Sequence, residues 1–95
     1  MTTRVTEGEL RALVNTLNNI TGEPQESYTR NEKGNLKSNV GNYHLSFAYS
    51  GVTLHQMVND GGGVTTPLGG GYFTKRELAE KLRAFIAGIS LAKHG

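Results

Sequence analysis

The residues best suited to hold a ligand stand together just before and at the start of the second predicted helix. Six glycines fall between residues 60 and 71, and Thr74, Lys75 and Arg76 follow closely. Glycine lets the main chain approach a bound molecule, and a helix N-terminus attracts anions through its unpaired N–H groups and about half a positive charge. Cations in the first turn oppose the helix dipole, which favours an anion between them. The predicted anion-site residues are Gly62, Gly63, Thr74, Lys75 and Arg76.

This pattern has a simpler alternative, which is a mobile loop before an ordinary helix. Glu77 carries the opposite charge in the same turn. The segment also lacks the Gly-Lys-Ser/Thr ending of a P-loop, and no βαβ unit surrounds it, as a dinucleotide fingerprint requires. The segment is therefore neither a P-loop nor a dinucleotide-binding fingerprint.

No set of residues in the chain predicts catalysis. There is no cysteine, so thiol chemistry, disulfides and zinc–thiolate sites are excluded. His44 and His55 can face the same side of a hairpin, but no carboxylate or third ligand is spaced to complete a metal site or a triad with them. We therefore expect a binding protein that is not an enzyme and that needs no metal or cofactor.

Tyr49 is the aromatic candidate for stacking on a planar ring, although an aromatic residue at a strand end is often part of the core. Apolar residues alternate with small or polar ones from 43 to 50, which predicts a β-hairpin over residues 42–59. Ser50–Gly51 is suited to its two-residue turn. The predicted pairs, all on one apolar face, are Tyr49 with Val52, Phe47 with Leu54, and Tyr43 with Val58.

Two helices are predicted around this hairpin. Thr6 is placed to cap the first, with Glu9 completing a capping box, and we expect the helix over residues 7–20, ended by Thr21–Gly22. Thr74 and Glu77 repeat the capping box, and an apolar stripe from Leu78 to Ile89 marks the buried face of the second helix.

The predicted fold class is α+β, in the order N-terminal helix, antiparallel β-hairpin or small sheet, glycine-rich loop and C-terminal helix. Residues 21–41 are polar, with a short strand expected at Tyr28–Arg30 and a turn at Lys33–Asn35. The 95 residues make one ligand-binding domain, residues 1–95. Because glycine fills no core and the chain is short, we expect a homo-oligomer whose subunits complete one another.

Charge and hydropathy limit the partners. The formal charge is only +2, and its surplus lies after residue 40, where five basic residues face three acidic ones. This suits a small anion better than a long polyanion, so a nucleic-acid partner is not expected. No apolar run approaches the length of about 18 residues needed to span a membrane, and no signal-peptide pattern begins the sequence. We therefore expect a cytoplasmic protein without a membrane partner.

Several short motifs follow one another between residues 43 and 89. They are Tyr49-Ser50-Gly51, Leu54, the run from Asn59 to Gly63, Thr74-Lys75-Arg76-Glu77, and Ala-Phe-Ile-Ala-Gly-Ile from Ala84 to Ile89. This set resembles the first-described family of Thoeris anti-defence proteins. Members of that family are phage proteins that sequester cyclic nucleotides made by TIR domains.

The resemblance implies a function and a site. It implies that glycocyclic ADP-ribose is bound and released unmodified in the host cytosol, so that a Thoeris effector is not activated. It also implies that Tyr49 stacks on adenine, that Asn59 contacts the ligand and that Arg76 binds phosphate or base. Glu80 and Lys81 stand where a second arginine is expected. Family members form oligomers with pockets between chains.

Some alternatives stay open at this point. In the predicted hairpin Tyr49 and Asn59 lie at opposite ends and on opposite faces, so one pocket contains both only if two subunits contribute or a bulge at Ser50–Gly51 changes the register. One rival function is a small RNA-binding module, because helix, three strands and helix is also the order of the double-stranded RNA-binding domain. Another is protein–protein inhibition of a host factor.

Overall fold

The computed structural model describes residues 4–94 and confirms the α+β prediction. The helices are α1 (Glu7–Thr21) and α2 (Lys75–His94), and the strands are β1 (Tyr28–Arg30), β2 (Leu36–Ser38), β3 (Tyr43–Ala48), β4 (Gly51–Met57) and β5 (Val64–Thr65). β1 and β2 form a two-stranded antiparallel sheet, and β3, β4 and β5 form a three-stranded one in that order. Within the described residues no helix is long and apolar enough to cross a membrane.

Both helices begin at the predicted capping residues. The hydroxyl of Thr6 accepts the N–H of Glu9 at 3.1 Å, and Gly22 ends α1 in a left-handed conformation at φ 73°. At α2 the capping box is reciprocal, because Thr74 and Glu77 each donate a backbone N–H to the other's side chain at 3.1 Å. The Thr74 N–H, and then its hydroxyl, lower the pKa of the Glu77 carboxyl, which therefore stays charged at the helix start.

The core lies between the two helices and one face of β3 and β4. Near the start of α1 Glu9 lies 3.9 Å from Arg83, and near its end the carbonyl of Ile20 accepts a hydrogen bond from Lys93. Since the contacts advance together along both helices, α1 and α2 run parallel and both begin at the same end of the molecule. The buried apolar residues of this core are Leu10, Val14, Leu17, Tyr43, Val52, Leu54, Leu78, Ala79 and Leu82.

Asn18 is a polar residue that the core needs. It is 1% exposed, and its amide accepts the N–H of Tyr43 at 2.8 Å and donates to the Tyr43 carbonyl at 2.9 Å. β3 is an edge strand of its sheet, so these backbone groups have no neighbouring strand on that side. The Asn18 side chain takes the place of that strand and ties α1 to the sheet.

The hairpin forms as predicted, but the predicted register is wrong by two residues. Phe47 pairs with Val52, and Tyr43 pairs with Gln56. Tyr49 therefore leaves the apolar face and sits in the turn with Ser50, where it is 91% exposed. Because side chains alternate with period two, a shift of two residues keeps the remaining core residues on the same face.

The reason for the shift lies in the segment before α2. Val52 and Phe73 exchange two backbone hydrogen bonds of 2.9 and 2.8 Å, which add Phe73 to the edge of β4. A Cβ at Gly51 would come within 2.9 Å of the Tyr72 Cβ and 3.1 Å of the Phe73 carbonyl oxygen. Glycine is thus needed in the strand at 51, and the turn moves to Tyr49–Ser50.

The glycine-rich loop is more ordered than predicted. Within it β5 pairs with the end of β4, through Gln56 with Thr65 and Met57 with Val64. The loop therefore begins after Met57 at the end of β4. It returns along the edge of β4 as β5, and the chain pairs with β4 again at Phe73. This path carries the chain from one end of β4 to the other and delivers it to the start of α2.

Residues 27–39 form an arm that stands beside the core. The predicted strand at Tyr28–Arg30 and the turn at Lys33–Asn35 are confirmed, and β2 completes a small hairpin that the polar sequence did not reveal. Asn31 stabilises the turn by accepting the N–H groups of Lys33 and Asn35, each at 3.0 Å. The apolar side chains of Tyr28 and Leu36 are left 47% and 61% exposed.

Candidate functional site

The two helix starts and the β3–β4 turn meet at one end of the molecule and enclose a groove of about 950 Å³. Its lining includes Arg4, Thr6 and Glu7 at the start of α1, Ser50 from the turn, and Thr74, Lys75 and Arg76 at the start of α2. Both helix dipoles present their positive ends here because the helices are parallel. We call this the N-terminal groove.

The N-terminal groove carries an excess of positive charge. Three cations, Arg4, Lys75 and Arg76, line it together with one carboxylate, Glu7. The carboxylate of Glu7 is paired with Arg11 at 3.0 Å. Arg76 has a looser, exposed contact of 3.7 Å with Glu80, which a stronger anionic partner can replace at little cost. The groove is therefore suited to a small anion, such as a phosphate or pyrophosphate group.

Aromatic rings border two smaller grooves around the same turn. One, of about 410 Å³, is lined by Phe47 and Phe73 together with Lys75. The other, of about 570 Å³, is lined by Tyr49 and Tyr72 together with Glu77. Ser50 lines both of them and the N-terminal groove as well. A flat ring bound beside Tyr49 would thus be next to an anion bound at the helix starts.

The turn that carries Tyr49 has an unusual backbone conformation for the two residues that form it. Tyr49 and Ser50 have φ values of 53° and 60°, in the left-handed region that glycine and asparagine normally occupy. A bulky residue in that region costs about 1–3 kcal/mol and persists where surrounding contacts fix it. The fold therefore maintains an exposed tyrosine in a strained turn, an arrangement that occurs often at binding sites.

Asn59, Gly62 and Gly63 lie at the far end of β4, roughly 25 Å from the turn at about 3.3 Å per residue. The Asn59 side-chain oxygen accepts the N–H groups of Gly61 and Gly63 at 3.0 and 2.9 Å, so it stabilises its own loop. A Cβ at Gly63 would lie 2.4 Å from the Asn59 amide nitrogen. Within one chain, the structure brings Tyr49, Thr74, Lys75 and Arg76 to one end and keeps these three residues at the other.

No pattern in the sequence predicted that Arg4, Glu7, Ser50 and Tyr72 lie at the same end of the molecule as the N-terminal groove. The capping motif at Thr6 correctly located the start of α1 but gave no indication that α2 begins beside it. The ring of Tyr72 lies 5.7 Å from that of Tyr49, a contact that no local pattern indicates. Only the parallel packing of the helices and the path of the glycine-rich loop bring these residues together.

His44 and His55 lie elsewhere, on the face of the sheet away from the helices. His44 and His55 are directly paired, as their predicted common side implied, with ring centres 5.6 Å apart. Asn42 donates to the Pro24 carbonyl at 2.7 Å, so its oxygen faces Nδ1 of His44 at 3.1 Å and that nitrogen carries the ring proton. Among residues 4–94 no group of three or more His, Cys, Asp or Glu side chains is arranged to hold a metal ion.

The histidine pair predicts how stability depends on pH. Burial, and then the charge of His55, lower the pKa of His44 below its ordinary 6.5. The unfolded chain therefore binds this proton more readily, so the contribution to stability is complete above about pH 6.5 and is lost as the pH falls below it. Urea denaturation at pH 7.5 and 5.5 should show a smaller loss for His44→Gln than for the natural chain.

His55→Gln is the matched control for this prediction. It removes the neighbouring charge but leaves the burial of His44, so its loss of stability between the two pH values should be intermediate. An equal loss in the natural chain and in His44→Gln would show that other groups govern the dependence.

Comparison of the chain with protein-family models, with curated proteins and with solved structures found no match.

Proposed function

We propose that the protein binds a cyclic nucleotide of the glycocyclic ADP-ribose type and sequesters it without degrading it, which prevents activation of a Thoeris effector. The observation that carries this proposal is the N-terminal groove, where two helix starts and three cations adjoin the exposed ring of Tyr49. The resemblance in the sequence motifs supports the identity of the ligand class.

The ligand and the groove have matching parts. A cyclic ADP-ribose carries a pyrophosphate and an adenine, and helix N-termini with adjacent arginine or lysine side chains are favourable sites for phosphate. Arg4, Lys75 and Arg76 supply these cations. The adenine then lies over the Tyr49 ring, which is 91% exposed and available for stacking.

Binding without reaction is proposed because the groove offers no pair of groups for catalysis. Of its described ionisable side chains three are cations, and the carboxylate of Glu7 is held by Arg11 at 3.0 Å. Ser50 contributes a hydroxyl to the groove, but His44 and His55 lie on the sheet and do not line the groove. A nucleophile with an adjacent base is the arrangement that hydrolysis would need.

Native mass spectrometry with and without a cyclic ADP-ribose isomer tests the proposal. The expected spectrum shows the mass of the protein plus an integral number of ligands, and ligand recovered after heat denaturation should be unchanged. Cleaved product in stoichiometric excess over protein would contradict sequestration. Absence of any bound mass for each isomer tried would contradict the ligand class.

We further propose that the active form is a homo-oligomer with sites between subunits. Tyr49 and Asn59 lie at opposite ends of β4, so they share a pocket only if two chains meet. The arm offers a contact surface, because isolated two-stranded sheets are marginally stable and Tyr28 and Leu36 are exposed on it.

Light scattering at micromolar concentration should therefore give a mass above that of one chain. Leu36→Ser should shift the protein towards monomer, because it removes an exposed apolar side chain from the arm. Lys37→Ser is the control, since residue 37 lies on the opposite face of the same strand. A monomer that binds the nucleotide with full affinity would contradict both the assembly and the shared site.

One observation favours the RNA-binding alternative. The three-stranded sheet lies between the two helices in the sequence, and both helices pack on the same face of it. The carboxylates of Glu7, Glu77 and Glu80 lie at the end where the helices begin, and they interrupt a basic surface. Affinity that falls steeply with salt and that is highest for duplex RNA would favour this alternative.

A further inference from the structure

Tyr72 and Tyr49 form an aromatic pair at the tip of the β3–β4 hairpin. Their ring centres are 5.7 Å apart, and the ring planes meet at 65°. This edge-on geometry is one of the two that aromatic rings prefer. The exposures differ greatly, at 91% for Tyr49 and 36% for Tyr72. One ring of the pair is therefore presented to ligands, while the other is partly enclosed by the protein.

The backbone around Tyr72 is fixed to the sheet. The next residue, Phe73, exchanges two hydrogen bonds with Val52 at 2.9 and 2.8 Å. Gly51 leaves room for this contact, since a Cβ there would lie 2.9 Å from the Cβ of Tyr72. The Tyr72 hydroxyl also lies 3.5 Å from that of Ser46, which is a weak contact at most. The position of the Tyr72 ring is thus set mainly by its backbone and by packing.

We propose that Tyr72 is a positioning residue, which holds the Tyr49 ring in the orientation needed to stack on a planar base. An exposed tyrosine on a turn would otherwise exchange between rotamers, and immobilising such a side chain on binding costs affinity. Contact with the Tyr72 ring restricts the Tyr49 ring before the ligand arrives. The inference about affinity rests on the proposed function, whereas the ordering of the free Tyr49 ring does not.

The ring motion is measured first, without ligand. In protein labelled at its four tyrosine rings, NMR relaxation should report a high order parameter for Tyr49. Tyr72→Leu should lower that order parameter, and Tyr72→Phe should leave it unchanged because the aromatic ring is kept. Amide exchange at Val52 and Phe73 should stay slow in both variants, which shows that the hairpin remains docked. An unchanged Tyr49 order parameter in Tyr72→Leu would overturn the inference whatever the ligand is.

Calorimetry with a cyclic ADP-ribose isomer then tests the consequence for binding. Tyr72→Leu should bind about 2- to 12-fold more weakly, which is the range expected for the immobilisation of one side chain. Tyr72→Phe should bind like the natural chain. If the ring loses order but affinity is unchanged, Tyr72 does not position a ligand-binding ring. If the natural chain binds no cyclic nucleotide while the ring still loses order, the proposed function fails and the positioning of Tyr49 stands.

Discussion

Arg76→Ala is expected to weaken the binding of a cyclic ADP-ribose isomer about 10- to 150-fold, because a charge-assisted hydrogen bond to phosphate contributes about 1.5–3 kcal/mol. Arg76 lies in the first turn of α2 and lines the N-terminal groove. There the dipoles of both helices and the neighbouring cations already favour an anion. Isothermal calorimetry at fixed ionic strength measures the change.

Arg83→Ala is the matched control for Arg76→Ala. Both arginines lie on α2 and each has one loose ion pair at the surface, Arg76 with Glu80 at 3.7 Å and Arg83 with Glu9 at 3.9 Å. Exposed pairs of this kind contribute little to stability, so both variants should fold. Arg83 lies about 10 Å further along the helix axis and should have little effect on binding. Small and equal losses at the two positions would refute the phosphate site.

Asn18→Ala is expected to destabilise the fold by about 2–5 kcal/mol. The substitution leaves the N–H and carbonyl of Tyr43 without their partners at 2.8 and 2.9 Å, and each unpaired buried group costs about 1–3 kcal/mol. For a domain of this size the loss corresponds to a fall in Tm of roughly 10–30 °C. Differential scanning calorimetry measures this fall directly.

The neighbouring Asn19 provides the control, since it is exposed on the same helix. Asn19→Ala should change Tm by only a few degrees, because an exposed helical asparagine makes no buried contact and alanine is the better helix former. Equal Tm values for Asn18→Ala and the natural chain would show that β3 does not depend on the helix for its edge hydrogen bonds.

Local signals in the sequence were sufficient to predict where both helices begin and where α1 ends. The capping residues Thr6, Thr74 and Glu77 and the terminating Gly22 act on backbone groups within four residues, and the structure shows each of them in its predicted role. Such contacts depend on the order of residues alone, so they can be read without knowledge of the fold. The period-two alternation likewise identified the β3–β4 hairpin.

The register of that hairpin could not be predicted from local sequence signals. Ser50–Gly51 is the better turn by residue preference, yet Gly51 is used in the strand, where it lets the chain at Phe73 approach to hydrogen-bonding distance. Gly51 and Phe73 are 22 positions apart in the sequence. A long-range contact thus overrides the preference of the turn and moves Tyr49 from the core face to an exposed tip.

The sequence by itself determined the fold class, the starts of both helices and the cations available near the start of α2. The tertiary structure alone decided that α1 begins beside α2, that Arg4 joins Lys75 and Arg76, and that the ring of Tyr72 lies against that of Tyr49. It also separated these residues from Asn59 and its glycines. The physical reason is that capping and periodicity act over one helical turn or one strand, whereas the N-terminal groove is formed by the parallel packing of elements about 70 residues apart in the chain.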